Sequence, residues 1–94
     1  MVVVSDIDQI QAICYALSNQ NRLKIISMLK DGHSKTLREI FECSRNLIDL
    51  EHRETLYKYL EILVSAHILE KTEKEDRVTY KLANSSLTLN FDGL

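Results

Sequence analysis

The stretch from Glu51 to Leu69, EHRETLYKYLEILVSAHIL, decides the fold. Leu56, Leu60, Leu63 and Ile68 recur at helical spacing with Tyr59 and Ile62 flanking them, while Arg53, Glu54, Tyr57, Lys58 and Glu61 fall largely on the other side. The pattern predicts one amphipathic helix with a polar outer face. Two short segments of strand character follow at once, Ile68 to Glu73 and Arg77 to Leu82, joined by the charged turn Lys74, Glu75, Asp76. A helix running into a hairpin predicts a mainly α fold with a small β-hairpin, of α+β class.

Three blocks resemble a known family. Leu60-Glu61-Ile62-Leu63-Val64-Ser65-Ala66-His67-Ile68-Leu69 looks like the "L-x-x-L-x-x-A-G-L-V" exit of the recognition helix in winged helix-turn-helix regulators of the ArsR-like type, and Arg77-Val78-Thr79-Tyr80-Lys81-Leu82 is similar to their returning wing strand. Upstream, the run from Ala16 to Leu29, ALSNQNRLKIISML, resembles the opening "A-L-x-x-x-x-R-L-x-I-L-x-x-L". The blocks stand in the right order and cover most of the chain from Ala16 to Leu82. The resemblance implies a winged helix-turn-helix, DNA binding and transcription regulation. Small size, absence of proline and an insertion before the reading helix further resemble short archaeal and archaeal-virus winged-helix regulators.

Working outward, Ser5-Asp6-Ile7-Asp8 has the look of a helix start with a serine cap, and Ile7, Ile10, Ile13, Cys14 and Leu17 follow at three- and four-residue steps. A second helix from Asn19 or Gln20 is expected to put Leu23, Ile26 and Leu29 inside and Arg22, Lys24 and Lys30 outside, ending at Asp31-Gly32. Thr36 and Glu39 form a capping-box signature for a third helix, whose apolar period through Leu37, Ile40, Phe41, Ser44, Leu47 and Ile48 runs almost to Asp49, the expected cap of the next helix. That leaves about five residues more than a three- or four-residue helix-turn-helix turn needs. After the hairpin, Ala83 to Ser86 is turn-like, and Leu87, Leu89 and Phe91 alternate with polar residues as an extended segment does. One winged-helix domain over residues 1–94 is expected: a first helix at 5–18, a helical core at 19–66, a wing at 67–82 and an extended tail at 83–94.

With 94 residues, 45% of them hydrophobic and 28% charged, the chain has the size and composition of one soluble globular domain. No apolar run reaches the roughly 18 to 20 residues that span a bilayer, and Met1-Val2-Val3-Val4 lacks the charged start of a signal peptide, so an intracellular, cytoplasmic location without membrane partners is expected. A net charge of −2 excludes a protein that coats nucleic acid indiscriminately. Charge is nevertheless segregated: residues 22–38 hold Arg22, Lys24, Lys30, Lys35 and Arg38 against Asp31 alone.

Cys14 and Cys43 stand without a C-x-x-C or a Cys-His cluster, which reads best as two buried small side chains, with a disulfide as the minor reading. Metal-sensing relatives carry a cysteine pair near the position of Cys43, and the pair is missing here, so neither a metal nor a cofactor is expected, and no effector is identified. There is no Gly-rich phosphate loop and no nucleophile elbow, and His33, His52 and His67 have no local acid and nucleophile, so no enzyme is expected.

The expected function is sequence-specific binding of double-stranded DNA by a homodimeric regulator. Arg53, Glu54, Thr55, Tyr57 and Lys58 would face the major groove from a reading helix at about 51–66, with Lys35 and Arg38 as basic neighbours and Lys74 and Arg77 at the wing tip. Ile7, Ile10, Ile13 and Leu17, with Leu87, Leu89 and Phe91, would form the dimer interface, unless one subunit covers that stripe by itself. The acidic total and the acids Glu73, Glu75 and Asp76 around the wing cations favour the competing class, a winged helix that binds protein instead of DNA.

Overall fold

A computed structural model describes residues 2–45 and 53–94. Along the chain lie β1 (Val2–Val4), α1 (Ile7–Leu17), α2 (Gln20–Met28), α3 (Leu37–Ser44), α4 (Arg53–Ser65), β2 (Leu69–Lys74), β3 (Arg77–Leu82) and β4 (Leu87–Leu89). Helices, then a helix-to-hairpin exit, give the winged helix-turn-helix architecture. The expected run of α3 through Leu47 and Ile48, the Asp49 cap and the start of the reading helix at Glu51 lie outside the described residues.

α1, α2 and α3 each begin where the sequence offers an oxygen to the free N–H groups of the first turn. Asp6, not Ser5, caps α1 by accepting from Gln9 N at 3.0 Å, since its carboxylate stands at the position that reaches the N3 amide. Asn19 accepts from Arg22 N at 3.1 Å, and Thr36 with Glu39 closes the capping box expected for α3. The second helix stops at Met28, before the expected Asp31-Gly32; Gly32, at φ +81°, turns the chain after it.

α4 is the hub. Leu56, Leu60 and Leu63 are wholly buried, against Ile13 and Ala16 of α1, Ile25 of α2, Leu29 just after it and Ile40 of α3 in one cluster. Truncating one of these leucines to alanine removes packing worth roughly 2–5 kcal/mol. The helix ends on a Schellman turn: Ile68 N donates to Leu63 O at 3.0 Å and His67 N to Val64 O at 2.9 Å, with His67 at φ +61° where the resembled family has glycine. Ile68 and Leu63 are both buried, so the turn is closed by an apolar contact.

β2 and β3 pair antiparallel from Leu69↔Leu82 to Lys74↔Arg77, around the two-residue turn Glu75-Asp76 with φ +52° and +63°. Both positive angles mark a type I′ turn, whose twist suits a hairpin. Lys35 adds a one-residue bridge to β3, its N and O each bonded to Tyr80 at 2.8 Å.

The structure also differs from expectation in the packing of its helices and its ends. The inner line of α2 is Arg22 and Ile25, continuing to Leu29, with Ile26 half-buried; Leu23 is 47% exposed. Arg22 turns inward to the carbonyls that end α1: Nε donates to Ala16 O at 2.7 Å and Nη2 to Tyr15 O at 2.8 Å, the latter also accepting from Ser18, and the rings of Tyr15 and Tyr59 lie 5.0 and 5.6 Å from the guanidinium. Cys14 and Cys43 are free and exposed, not buried, because each falls on the outer side of its helix. Of the stripe on α1, Ile10 and Ile13 are buried inside the chain's own core, where α1 packs on α2 and α4; Leu17 is half-buried and Ile7 is 62% exposed. The N-terminal valines, read only as lacking a leader, form β1 and pair in parallel with the tail, Val2 with Leu87 and Val4 with Leu89. Leu89 is thereby half-buried, whereas Leu87 and Phe91 remain exposed.

Candidate nucleic-acid interface

Because Leu56, Leu60 and Leu63 turn inward, the helical period turns Arg53, Glu54, Tyr57 and Lys58 outward, and all four are exposed. Thr55 lies on the flank and is half-buried. With Leu37 of α3, the four line a shallow groove between the two helices. Arg38 is exposed next to Leu37. The Arg53 guanidinium lies 5.4 Å from the Phe41 ring, which also faces Arg45 at 5.8 Å, so Phe41 braces the first residue of α4 against α3.

The wing is tied to this helix at its base. Lys71 of β2 donates to Glu61 of α4 at 2.9 Å, and its ammonium lies 5.7 Å from the Tyr57 ring and 6.0 Å from the Tyr80 ring. Hydrogen bonding from Lys71, then from Tyr57, holds the Glu61 carboxyl below its ordinary range; the same bond to Glu61 holds Lys71 above its own. Glu61 likewise raises the Tyr57 phenol, and burial raises that of Tyr80. At the tip, Lys74 and Arg77 end the ladder side by side, both exposed, and Arg77 reaches Glu39 at 3.6 Å. Glu39 is already the capping-box acid, and the bond from the Thr36 backbone keeps its carboxyl low.

The expected site residues therefore divide. Arg53, Glu54, Tyr57 and Lys58 come together on one face; Arg38 is exposed on α3 after Leu37, and Lys74 and Arg77 stand at the wing tip. Lys35 is turned away: its ammonium donates to Met28 O at 2.8 Å and Asp31 at 3.1 Å, closing the end of α2 as Arg22 closes that of α1. Asp31, which also accepts from His33 N, has its carboxyl lowered by these bonds, the His33 one first. Sequence reasoning missed Lys71 and Phe41 as braces; the only signal for either was an aromatic or a cation at the inner edge of its element. Among the described residues, no group of three or more His, Cys, Asp or Glu is placed to hold a metal, and no helix is long and apolar enough to cross a membrane.

Solved structures share this fold. The chain is similar to a homodimeric winged helix-turn-helix DNA-binding domain from Mycobacterium bovis, a possible ArsR-family transcriptional regulator, with a TM-score of 0.68 and 25% identity over 82% of this chain and 66% of that one. It thus spans just under two thirds of that chain. A crystal structure of a possible transcriptional regulatory protein, also from Mycobacterium bovis, gives a TM-score of 0.69 at 23% identity, over 82% of this chain and 76% of that one. An ArsR-like transcriptional regulator from a Rhodococcus gives 0.61 at 16%, over 80% and 65%. No family profile and no curated protein sequence matches the chain. The neighbours named are bacterial, so the likeness to archaeal regulators stands on the sequence alone.

Proposed function

We propose that the protein binds double-stranded DNA sequence-specifically as a homodimeric transcription regulator, the whole chain working as one winged-helix domain without enzymatic activity. The observation that carries this reading is the outer face of α4, where Arg53, Tyr57 and Lys58 stand exposed together at the start of a helix held rigid by three fully buried leucines. A helix so presented fits the major groove with its N-terminal residues on base edges. Arg38, Lys74 and Arg77 then serve phosphates on either side, and Thr55 borders the groove. Lys35 anchors the loop before α3 and does not touch DNA. Such a protein acts inside the cell, where its DNA is. The fold neighbours support the reading, one of them being a homodimeric DNA-binding domain.

Fluorescence anisotropy on genomic fragments at several salt concentrations tests the reading. Saturable binding that weakens linearly on a log–log salt plot is expected. No saturable binding to any fragment at low salt rejects it and favours a protein-binding winged helix.

The dimer is proposed to form on exposed Ile7 of α1 together with Leu87 and Phe91 of the tail, and with half-buried Leu17 and Leu89 at the margin; Ile10 and Ile13 support this face from within. Two-fold pairing sets the reading helices roughly 34–36 Å apart, one DNA turn. Sedimentation equilibrium at micromolar concentration should show a dimer, and I7E should give a folded monomer. A monomeric parent defeats the dimer; a dimeric I7E moves the interface elsewhere.

A further inference from the structure

Within the DNA-reading face, on which this inference rests, Glu54 is out of keeping with its neighbours. It is exposed in the first turn of α4, between Arg53 and the Tyr57–Lys58 pair, and it lines the groove with them. Among the described residues, Glu39 is engaged with Thr36 and Arg77, and Glu61 with Lys71. Glu54 makes no such bridge with a described residue, and although Lys58 is four residues on, the distance at which helical ion pairs form, the two do not pair.

A bare carboxylate pressed toward phosphates is repelled unless it accepts a hydrogen bond there. In the major groove the donors are the amino groups of cytosine (N4) and adenine (N6); adenine sets its donor beside the N7 acceptor, which repels a carboxylate, so a carboxylate matches cytosine best, while guanine presents only acceptors and thymine an acceptor and a methyl group. Residues in the first turns of a reading helix are the ones that reach base edges. We infer that Glu54 is a specificity-determining residue that reads a cytosine amino group, one in each half-site, and rejects guanine and thymine there by repulsion. Its negative charge lowers affinity for DNA at large while raising the contrast between sites.

Selection of bound sequences from a random library, with the parent, E54A and E54Q, tests this. The parent motif should hold a C·G pair at one position per half-site, preferred by roughly ten- to a hundredfold. E54A should lose the preference at that position alone and bind unrelated DNA more tightly. E54Q should move the preference toward A·T, because a glutamine amide pairs with adenine N6 and N7. Glu54 also complements the helix dipole, but loss of that role lowers the melting temperature without re-choosing a base. The test is repeated without altering the protein, on the selected site carrying a 2-pyrimidinone nucleotide, which lacks the amino group, in place of the cytosine; a loss of roughly tenfold is expected. Unchanged motifs for both variants, or undiminished affinity for the 2-pyrimidinone site, overturn the inference and leave DNA binding standing. A parent that selects no motif overturns the DNA-binding reading, and this inference with it.

Discussion

The segment from Arg22 to Lys35 and the outer face of α4 carry similar side chains, cations interleaved with apolar residues, yet Arg22 and Lys35 turn the opposite way to Arg53 and Lys58. In the first, Arg22 is 5% exposed and Lys35 half-buried, each donating to carbonyls at the end of a helix. In the second, Arg53 and Lys58 stand in solvent. The difference is one of surroundings. α1 and α2 have no basic residue in their last turns, and a cation further down the chain supplies the charge that their carbonyls attract: Arg22 for α1 and, past the exposed Lys30, Lys35 for α2. A run of basic residues is thus evidence for a DNA surface only after helix ends have taken their share.

The strongest way to break this comparison is R22M. Methionine fills space but cannot donate, leaving the buried carbonyl of Ala16 without the Arg22 donor at about 1–3 kcal/mol, whereas Tyr15 O keeps its bonds from Ser18 N and Oγ. We expect a loss of about 1–3 kcal/mol, and a melting temperature lower by at least about 4 °C. Thermal melts that place R22M within about 0.5 kcal/mol of the parent return Arg22 to the surface.

A smaller effect comes from acid. The carboxyls of Glu61, Glu39 and Asp31 are lowered in the folded chain, so their contribution is complete above the ordinary carboxylate range of about 4 and is lost as pH falls through the lowered values. Lys71 is raised, so its share persists below about pH 10.4 and is lost as pH climbs through its folded value. Melting temperature should be level from about pH 5 to 9 and decline in acid, less steeply in E61Q. A melting temperature that rises below pH 4 contradicts the pairings.

The smallest effect lies at the wing tip, where Glu75 and Asp76 hold positive φ without a glycine. Replacing the pair by Asn-Gly, the sequence such turns prefer, should stabilise the hairpin by up to about 1 kcal/mol. Unchanged or lowered stability means that the side chains of Glu75 and Asp76 contribute more than their backbone strain removes.

What was legible was local. The stripe of α4, the Thr36–Glu39 capping box, the Ala66-His67-Ile68 exit and the hairpin each depend on neighbours a few residues away, and all are present. What was not legible depended on partners brought together by folding. Hydropathy placed Leu23 inside and Arg22 outside, because nothing near Arg22 in sequence announces that the end of α1 lies against it. The pairing of Val2–Val4 with Leu87–Leu89 joins the two ends of the chain, and three valines alone do not name a partner. On the candidate interface, the exposed face of α4 was readable from its period, whereas the withdrawal of Lys35 was set by the carbonyl of Met28, seven residues back.

The central claim, that the outer face of α4 meets DNA, is tested most directly by titrating parent and R53A/K58A with one operator fragment across a range of salt. With one of the pair on a base edge and the other on a phosphate, the log–log salt slope should flatten by about one and preference should relax at one position; with both on phosphates, binding should weaken on all sequences and the slope flatten by about two. A folded double variant that binds as tightly as the parent, with the same slope and the same preference, contradicts the account.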